Sequence, residues 1–190
     1  RVRMQGRDHG GDVFIRSMAS RGEVGGLARA ASTCVHLFDA CGWPLVLIET
    51  LGIGQVELDI MDLADAVVVV LNPGWGDTFQ ANKAGLTEAG DLFVINKADR
   101  KGVDDTRRDL MQMLDLSDLP ADAWRPPIVA TVASEARGID ELWDAVLAHR
   151  DFAETTGLLE ALAHKVIELT GEIADMAERV GRRLELLLSH

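Results

Sequence analysis

Residues 92–99 read LFVINKAD, and this stretch decides the fold class of the 190-residue chain. Four apolar side chains, Leu92 to Ile95, pass directly into polar residues and a turn. A short, continuous apolar run rich in Val and Ile is typical of a strand that is buried on both faces of a parallel sheet. We therefore predict a buried strand over 92–96 with polar residues at its carboxyl end.

The same pattern recurs in three more apolar runs, at 44–50 (PLVLIET), 66–71 (AVVVVL) and 128–132 (IVATV). Helical patterns separate the runs, at 26–41, 77–90, 104–114 and 139–149. Strands that alternate with helices predict an α/β fold, here a doubly wound and mainly parallel sheet. Ligands of such sheets bind at the carboxyl ends of the strands, so we expect the chemistry where each run stops.

The run at 92–96 ends in Asn-Lys-Ala-Asp, which matches the NKxD signature of guanine-nucleotide proteins. The carboxylate of Asp99 can accept both the N1–H and the N2–H of guanine, and adenine offers neither donor in that arrangement. A base that left a site carboxylate unpaired would be rejected strongly. We expect Asn96 to tie neighbouring loops together and the stem of Lys97 to lie along the base. The alternative is that Asp99 only caps the next turn.

The run at 128–132 leads into three residues whose backbone N–H groups are expected to meet the guanine O6: Val132, Ala133 and Ser134.

The run at 44–50 is followed by a glycine-rich turn, in the order Glu49-Thr50-Leu51-Gly52-Ile53-Gly54-Gln55. A carboxylate before such a turn suits a magnesium site, so we predict that Glu49 is a magnesium acid. Gly52 and Gly54 let backbone N–H groups approach a γ-phosphate, and Gln55 is a candidate to orient a water. The alternative is a plain glycine turn beside an exposed Glu49.

The run at 66–71 leads into the loop Asn72 to Asp77, with Gln80 and Lys83 beyond it. Two glycines and a proline beside a tryptophan predict an ordered and potentially mobile loop. Asp77 is also a good N-cap for the helix expected at 77–90, and capping is the alternative to a functional role.

Composition excludes several classes of protein. The chain carries 19 Lys and Arg against 31 Asp and Glu, a formal charge of −12, which argues against a nonspecific nucleic-acid binder. With 47% hydrophobic residues it can bury a core, so disorder throughout is excluded. The sequence has no uninterrupted apolar run of about 18 residues, so we predict no membrane span. The only two cysteines, Cys34 and Cys41, are seven residues apart without a second Cys/His pair at zinc spacing, which favours free thiols in a reducing cytoplasm.

The last part of the chain has a different pattern. Apolar residues spaced three and four apart form a heptad seam with one slip, comprising Leu159, Leu162, Val166, Leu169, Ile173, Met176, Val180, Leu184 and Leu187. The seam predicts a helical arm over 153–190 that forms a homodimer with a second copy. The alternative is a helix packed against its own domain.

Five stretches together are similar to the MeaB/ArgK family of P-loop GTPases, which is also called LAO/AO transport ATPase-like and includes the methylmalonic aciduria type A protein. The stretches are VFIRSMASRGEVGGLA (13–28), LIETLGIGQVELD (47–59), LADAVVVVLNPGWGD (63–77), FVINKAD (93–99) and GIDELWDAV (138–146).

The resemblance implies a GTPase that serves as chaperone of an adenosylcobalamin-dependent mutase, usually methylmalonyl-CoA mutase. It implies GTP and Mg²⁺ as ligands, a magnesium role for Glu49, and a mobile switch over 73–83 whose polar residues Asp77 and Lys83 couple the mutase to hydrolysis. Residues 1–152 would be part of the G domain, and residues 153–190 would be its dimerisation arm.

The chain departs from the family pattern in one respect: no GxxxxGK[ST] occurs in it. The family's phosphate loop is expected N-terminal to Arg1, and the chain by itself is expected to bind nucleotide weakly and to turn over negligibly. One alternative is a non-hydrolysing dimeric module that docks to a mutase. Another is a related metallochaperone GTPase, which the lack of a Cys or His cluster in the sequence disfavours.

Overall fold

The computed structural model describes residues 14–18, 29–50, 63–74, 90–117, 119–120 and 122–157. The chain divides into two units, Arg1–Gly52 and Ile53–His190. The first unit contains helix α1, Arg29–Ala40, which lies within the helix predicted at 26–41. The ring of Phe38 on α1 lies 5.5 Å from that of Phe14 and 6.0 Å from that of Trp43. These aromatic contacts anchor the segments on both sides of the helix to its last turn.

The prediction of a strand at 44–50 is wrong. These residues have neither helix nor strand structure, and the side chains of Leu45 and Leu47 are 49% and 84% exposed. A strand forms only where a neighbouring strand accepts and donates its backbone hydrogen bonds. The described residues of this unit contain no second strand, so the apolar run has no partner there.

The second unit contains a three-stranded parallel sheet with β1 at Val68–Leu71, β2 at Leu92–Asn96 and β3 at Ile128–Thr131. The strands lie in the order β1-β2-β3. Val70, Val94 and Val129 form one row across the sheet. The three predicted runs and the predicted parallel α/β class are therefore confirmed, with β1 and β3 slightly shorter than their runs.

Helix α2, Val103–Asp115, covers one face of the sheet. Its buried residues are spaced for one face of a helix and comprise Thr106, Leu110, Met113 and Leu114. Asp104 and Asp105 in the first turn complement the positive end of the helix dipole. The core between α2 and the sheet includes Leu71, Phe93 and Ile95, all with no exposed surface.

Helix α3, Ile139–Thr156, contacts β2 and β3. It includes the helix predicted at 139–149 and continues past it for two turns. Gly157, at φ +74°, ends α3 by donating its N–H to the carbonyls of Ala153 and Glu154. The predicted arm begins inside this helix, at residue 153, and its heptad seam lies outside the described residues. The division into a G domain and an arm therefore stays a prediction.

A polar cluster closes the amino end of the sheet. The side chain of Asp91 accepts a hydrogen bond from the Val67 N–H at 2.8 Å, and its backbone carbonyl accepts one from the Trp124 indole at 2.8 Å. The imidazole of His149 is only 2% exposed and lies 3.4 Å from the Asp91 carboxylate. Asp91 thus joins β1, β2, α3 and the connection that precedes β3.

Among the helices within the described ranges, none is long and apolar enough to cross a membrane.

Candidate nucleotide site

The NKAD loop begins where β2 ends. Asn96 is the last residue of the strand, and Lys97 then adopts φ +59°, which is uncommon for a residue with a side chain. The Ala98 N–H donates to the Thr131 carbonyl at 2.9 Å, and the Arg100 N–H donates back to the Lys97 carbonyl at 3.0 Å. The loop is therefore fixed to the end of β3 as well as to β2.

Asn96 joins two loops. Its Oδ1 accepts a hydrogen bond from the Thr131 hydroxyl at 3.2 Å and another from the Ala133 N–H at 3.1 Å. Because β2 and β3 are parallel neighbours, their carboxyl ends meet at one edge of the sheet. One amide side chain thus brings the NKAD loop and the 132–134 loop together at that edge.

Asp99 and Lys97 present their side chains to solvent. Asp99 has no hydrogen bond or ion pair with another residue of the described part of the chain. It does not cap α2, because the helix begins after Gly102 without a side-chain cap. Asp99 therefore does not have the alternative role of capping α2. Its carboxylate is accessible to a base.

The 132–134 loop is held by backbone pairing with Arg137. Val132 is 3% exposed, and its N–H and carbonyl pair with the carbonyl and N–H of Arg137 at 2.9 Å and 3.3 Å. A short 3₁₀ helix, Ala133–Glu135, lies between the paired residues, and both Ala133 and Ser134 are exposed. In this structure the Ala133 N–H is already used by Asn96.

The predicted magnesium and switch residues are only partly described. Glu49 is an exposed carboxylate at the end of 44–50 in the first unit. Gly52, Gly54, Gln55, Asp77 and Lys83 lie outside the described residues, so their roles stay predictions. In the described ranges, no three His, Cys, Asp or Glu side chains gather as a metal site. A single carboxylate still fits Mg²⁺, which usually keeps several waters and takes further oxygens from substrate phosphates.

Sequence reasoning missed two residues that build this edge. Thr131 is 2% exposed, and its hydroxyl donates to Asn96. Its position as a polar residue inside an apolar run was the one sequence feature that could have indicated this role. Gly138 stands before α3 at φ +76°, where an added Cβ would lie 2.2 Å from the Ala130 carbonyl oxygen. Its presence in the GIDELWDAV stretch gave no hint of that close approach.

Known proteins are similar in sequence to most of the chain. The family model described as "Methylmalonyl Co-A mutase-associated GTPase MeaB" matches residues 1–181. A relative from Pyrococcus abyssi is 50% identical over 170 residues, which is 88% of this chain and 52% of that protein. The GTPase ArgK of Escherichia coli is 34% identical over 151 residues, covering 78% of this chain and 46% of ArgK.

A solved structure shows the same fold. The crystal structure of a LAO/AO transport system kinase matches with a TM-score of 0.62 and 28% identity, covering 76% of this chain and 47% of that one. The chain thus spans about half the length of the relatives it matches. The matched sequence, the parallel sheet and the joined loops agree, and the chain belongs to the MeaB/ArgK family of GTPases.

Proposed function

We propose that this chain carries the guanine-reading part of a GTPase that assists an adenosylcobalamin-dependent mutase of the methylmalonyl-CoA mutase type. The observation that carries the nucleotide part is the link from Asn96 to Thr131 and Ala133, which assembles two loops beside an accessible Asp99. The mutase part rests on the description of the family model.

Base recognition in this proposal is a matter of paired hydrogen bonds. The Asp99 carboxylate accepts the N1–H and N2–H of guanine, while the Lys97 stem covers a face of the base. Of the 132–134 loop, the backbone N–H of Ser134 is the candidate to take the O6, since the N–H groups of Val132 and Ala133 already donate to Arg137 and Asn96. An adenine in this position would leave the Asp99 carboxylate unpaired. We expect the binding free energy of adenine to be weaker by up to several kcal/mol, roughly the cost of a carboxylate without a hydrogen-bond partner.

The phosphate side is less complete within the 190 residues. Glu49 would hold Mg²⁺, which would neutralise charge on the β- and γ-phosphates when bound. Gly52 and Gly54 would bring backbone N–H groups to the γ-phosphate, and Gln55 would orient water. A GxxxxGK[ST] loop normally supplies much of the remaining charge stabilisation, and the sequence contains none. We therefore expect weak nucleotide binding and negligible hydrolysis by this chain alone.

The partner side of the proposal involves the switch and the arm. Asp77 and Lys83 would couple a docked mutase to hydrolysis, and the arm at 153–190 would pair two copies into a homodimer. A cytoplasmic location fits the two cysteines, which are free in the described residues. The second candidate is a dimeric module that docks to the mutase without hydrolysing GTP.

The decisive experiment changes Asp99 to Asn. In ligand-observed NMR with millimolar nucleotide, the wild-type chain should transfer saturation to GDP more than to XDP or ADP. Asp99→Asn should prefer XDP, because the amide can donate to the carbonyl at C2 of xanthine. Asp122→Asn is the matched control, since Asp122 is exposed in the connection before β3 and should leave the preference unchanged. Equal signals for ADP and GDP, or no change in Asp99→Asn, would refute the base-reading role.

The mutase part has a separate test. Size-exclusion chromatography with light scattering should show a complex between the chain and a methylmalonyl-CoA mutase. Phosphate release from GTP then separates the two candidates. It is measured on a version of the chain that is extended upstream by a phosphate loop, because only the enzyme would then hydrolyse GTP. Binding without any hydrolysis under those conditions supports the docking module.

A further inference from the structure

A groove with three arginines in its lining runs along the outer edge of the sheet, between α2 and β3. It consists of two open cavities of about 380 and about 220 Å³ that meet at Arg107. We call it the α2–β3 groove and define it by Arg107 and Met111 of α2, Ile128 and Ala130 of β3, and Arg125 and Arg137 at its two ends.

The groove follows the outer edge of β3, which pairs with no further strand among the described residues, although Gly138 lies close to the Ala130 carbonyl there. The carbonyls of Pro127 and Thr131 accept hydrogen bonds from the Phe93 and Ala98 N–H groups, both at 2.9 Å, so they point towards β2. Backbone groups alternate in direction along a strand, so those of Ile128 and Ala130 point to the outer edge. The Arg107 guanidinium lies 3.5 Å from the Ile128 carbonyl on that side.

Three guanidinium groups line the groove, in a chain that carries a formal charge of −12. Two of them face acids beside the groove, Asp115 and Glu135. Asp104 is the one acid in the lining of the two cavities.

Two of these arginines have replaceable partners. Arg125 pairs with Asp115, and Arg137 lies 3.3 Å from Glu135, but all four side chains are more than half exposed. Exposed pairs of this kind contribute about 0–1 kcal/mol, so a docked carboxylate can replace the present partner at little cost.

The smaller cavity adds an apolar contact. Met111 is 51% exposed there, and Leu114, Pro126 and Ile128 complete the lining beside it. Burial of an apolar side chain against Met111 would remove apolar surface from water, at about 25 cal/mol per Å².

We propose that the α2–β3 groove docks an extended acidic segment of a partner protein. Carboxylates of the segment pair with Arg125, Arg107 and Arg137, and an apolar side chain enters the cavity beside Met111. Bidentate pairing of guanidinium with carboxylate favours arginine at such a surface. The larger cavity also borders the nucleotide site, since Ala98, Thr131 and Val132 line it. The inference still goes beyond the proposed function, because neither Arg107 nor Met111 belongs to the nucleotide site, and its test needs no nucleotide.

The test is fluorescence anisotropy with a fluorescein-labelled peptide of alternating glutamate and valine, titrated with the 190-residue chain. The peptide should bind saturably, and Arg107→Glu should weaken binding by roughly tenfold or more, as expected for a charge pair turned into a repulsion. Arg108→Glu is the matched control, because Arg108 is the next residue of α2, carries the same charge change and pairs with Asp105 at 3.0 Å outside the groove. It should change the affinity by less than about twofold.

Four outcomes would overturn the proposal. One is the absence of saturable binding by the acidic peptide. A second is an equal loss of affinity in Arg107→Glu and Arg108→Glu, which would mean that the attraction is unspecific. A third is equal binding of a peptide with glutamine in place of glutamate, which would mean that charge does not contribute. The last is strong protection of the Ile128 and Ala130 amides from hydrogen exchange in the free chain, which would show that other residues of the chain cover the edge. Circular dichroism of each variant separates a lost site from a lost fold, and Arg125→Glu provides a second variant at an exposed residue.

Discussion

Asn96 contributes to the site by holding two loops in place. Its Oδ1 accepts from a buried hydroxyl, that of Thr131, and from the N–H of an exposed residue, Ala133. A single acceptor therefore sets the distance between the two loops that are proposed to hold the base. Loss of this acceptor should weaken the fold and the site together.

Asn96→Ala should lower the free energy of unfolding by about 1–3 kcal/mol, since two hydrogen bonds are lost and the Thr131 hydroxyl stays buried without its partner. Asn96→Asp is the control, because a carboxylate oxygen at the same place still accepts both hydrogen bonds. Urea denaturation followed by circular dichroism measures both. Equal losses in the two variants would show that the hydrogen bonds to Oδ1 contribute nothing to stability.

Gly138 is restricted both by its backbone angle and by its surroundings. Gly138→Ala should cost about 2–4 kcal/mol, because an L residue at φ +76° is strained and its Cβ would lie 2.2 Å from the Ala130 carbonyl oxygen. Gly157→Ala is matched in angle, at φ +74°, but nothing lies within 4 Å of its added Cβ. It should cost only about 1 kcal/mol by thermal denaturation. A loss at 138 no larger than that at 157 would contradict the close approach.

Helix α2 acts as the cover of one face of the sheet, and its buried stripe carries that role. Leu110 has no exposed surface and packs among Leu71, Phe93 and Ile95. The next residue, Met111, is half exposed and faces the α2–β3 groove. Neighbouring positions of one helix thus serve stability and a surface, respectively.

Leu110→Ala should destabilise the chain by about 2–5 kcal/mol, the usual range for a buried leucine that leaves a cavity. Met111→Ala should change stability by less than about 0.5 kcal/mol, because the side chain is exposed and both residues favour helix. Denaturant titration of the two variants under the same conditions gives the comparison. Similar losses at both positions would mean that the core does not lie where the structure places it.

Local pattern was sufficient to predict β2, α2 and the start of α3, because each is marked by its own apolar spacing. It failed at 44–50, where composition suits a strand but the described residues of the unit supply no neighbour to pair with. It also could not find the partners of Asn96, which lie 35 and 37 residues later in the chain. A hydrogen bond between distant residues depends on two segments, so the pattern of one segment cannot predict it.

For the molecule as a whole, assembly is expected to depend on residues 158–190, which come after α3. The helix is closed by Gly157, so a cut after this residue keeps every turn of α3. The sequence pattern beyond Gly157 predicts self-association, and the net charge of −12 opposes it at long range in low salt.

Removal of residues 158–190 should convert a dimer into a monomer in light scattering at micromolar concentration, because the heptad seam is then absent. The matched control keeps the length and replaces Glu160, Glu168 and Glu178 by Gln, which lie off the seam and should leave the dimer intact. A dimer that persists after truncation would show that the pairing surface lies elsewhere in the chain.

The bonds from Asn96 also have a consequence for the order of events during synthesis. The amide leaves the ribosome before either of its partners, Thr131 and Ala133, has emerged, because they lie 35 and 37 residues later. At roughly 5–20 residues per second, the delay is a few seconds. During that interval the amide lacks both partners, so the proposed base site cannot form until β3 and the residues after it have emerged.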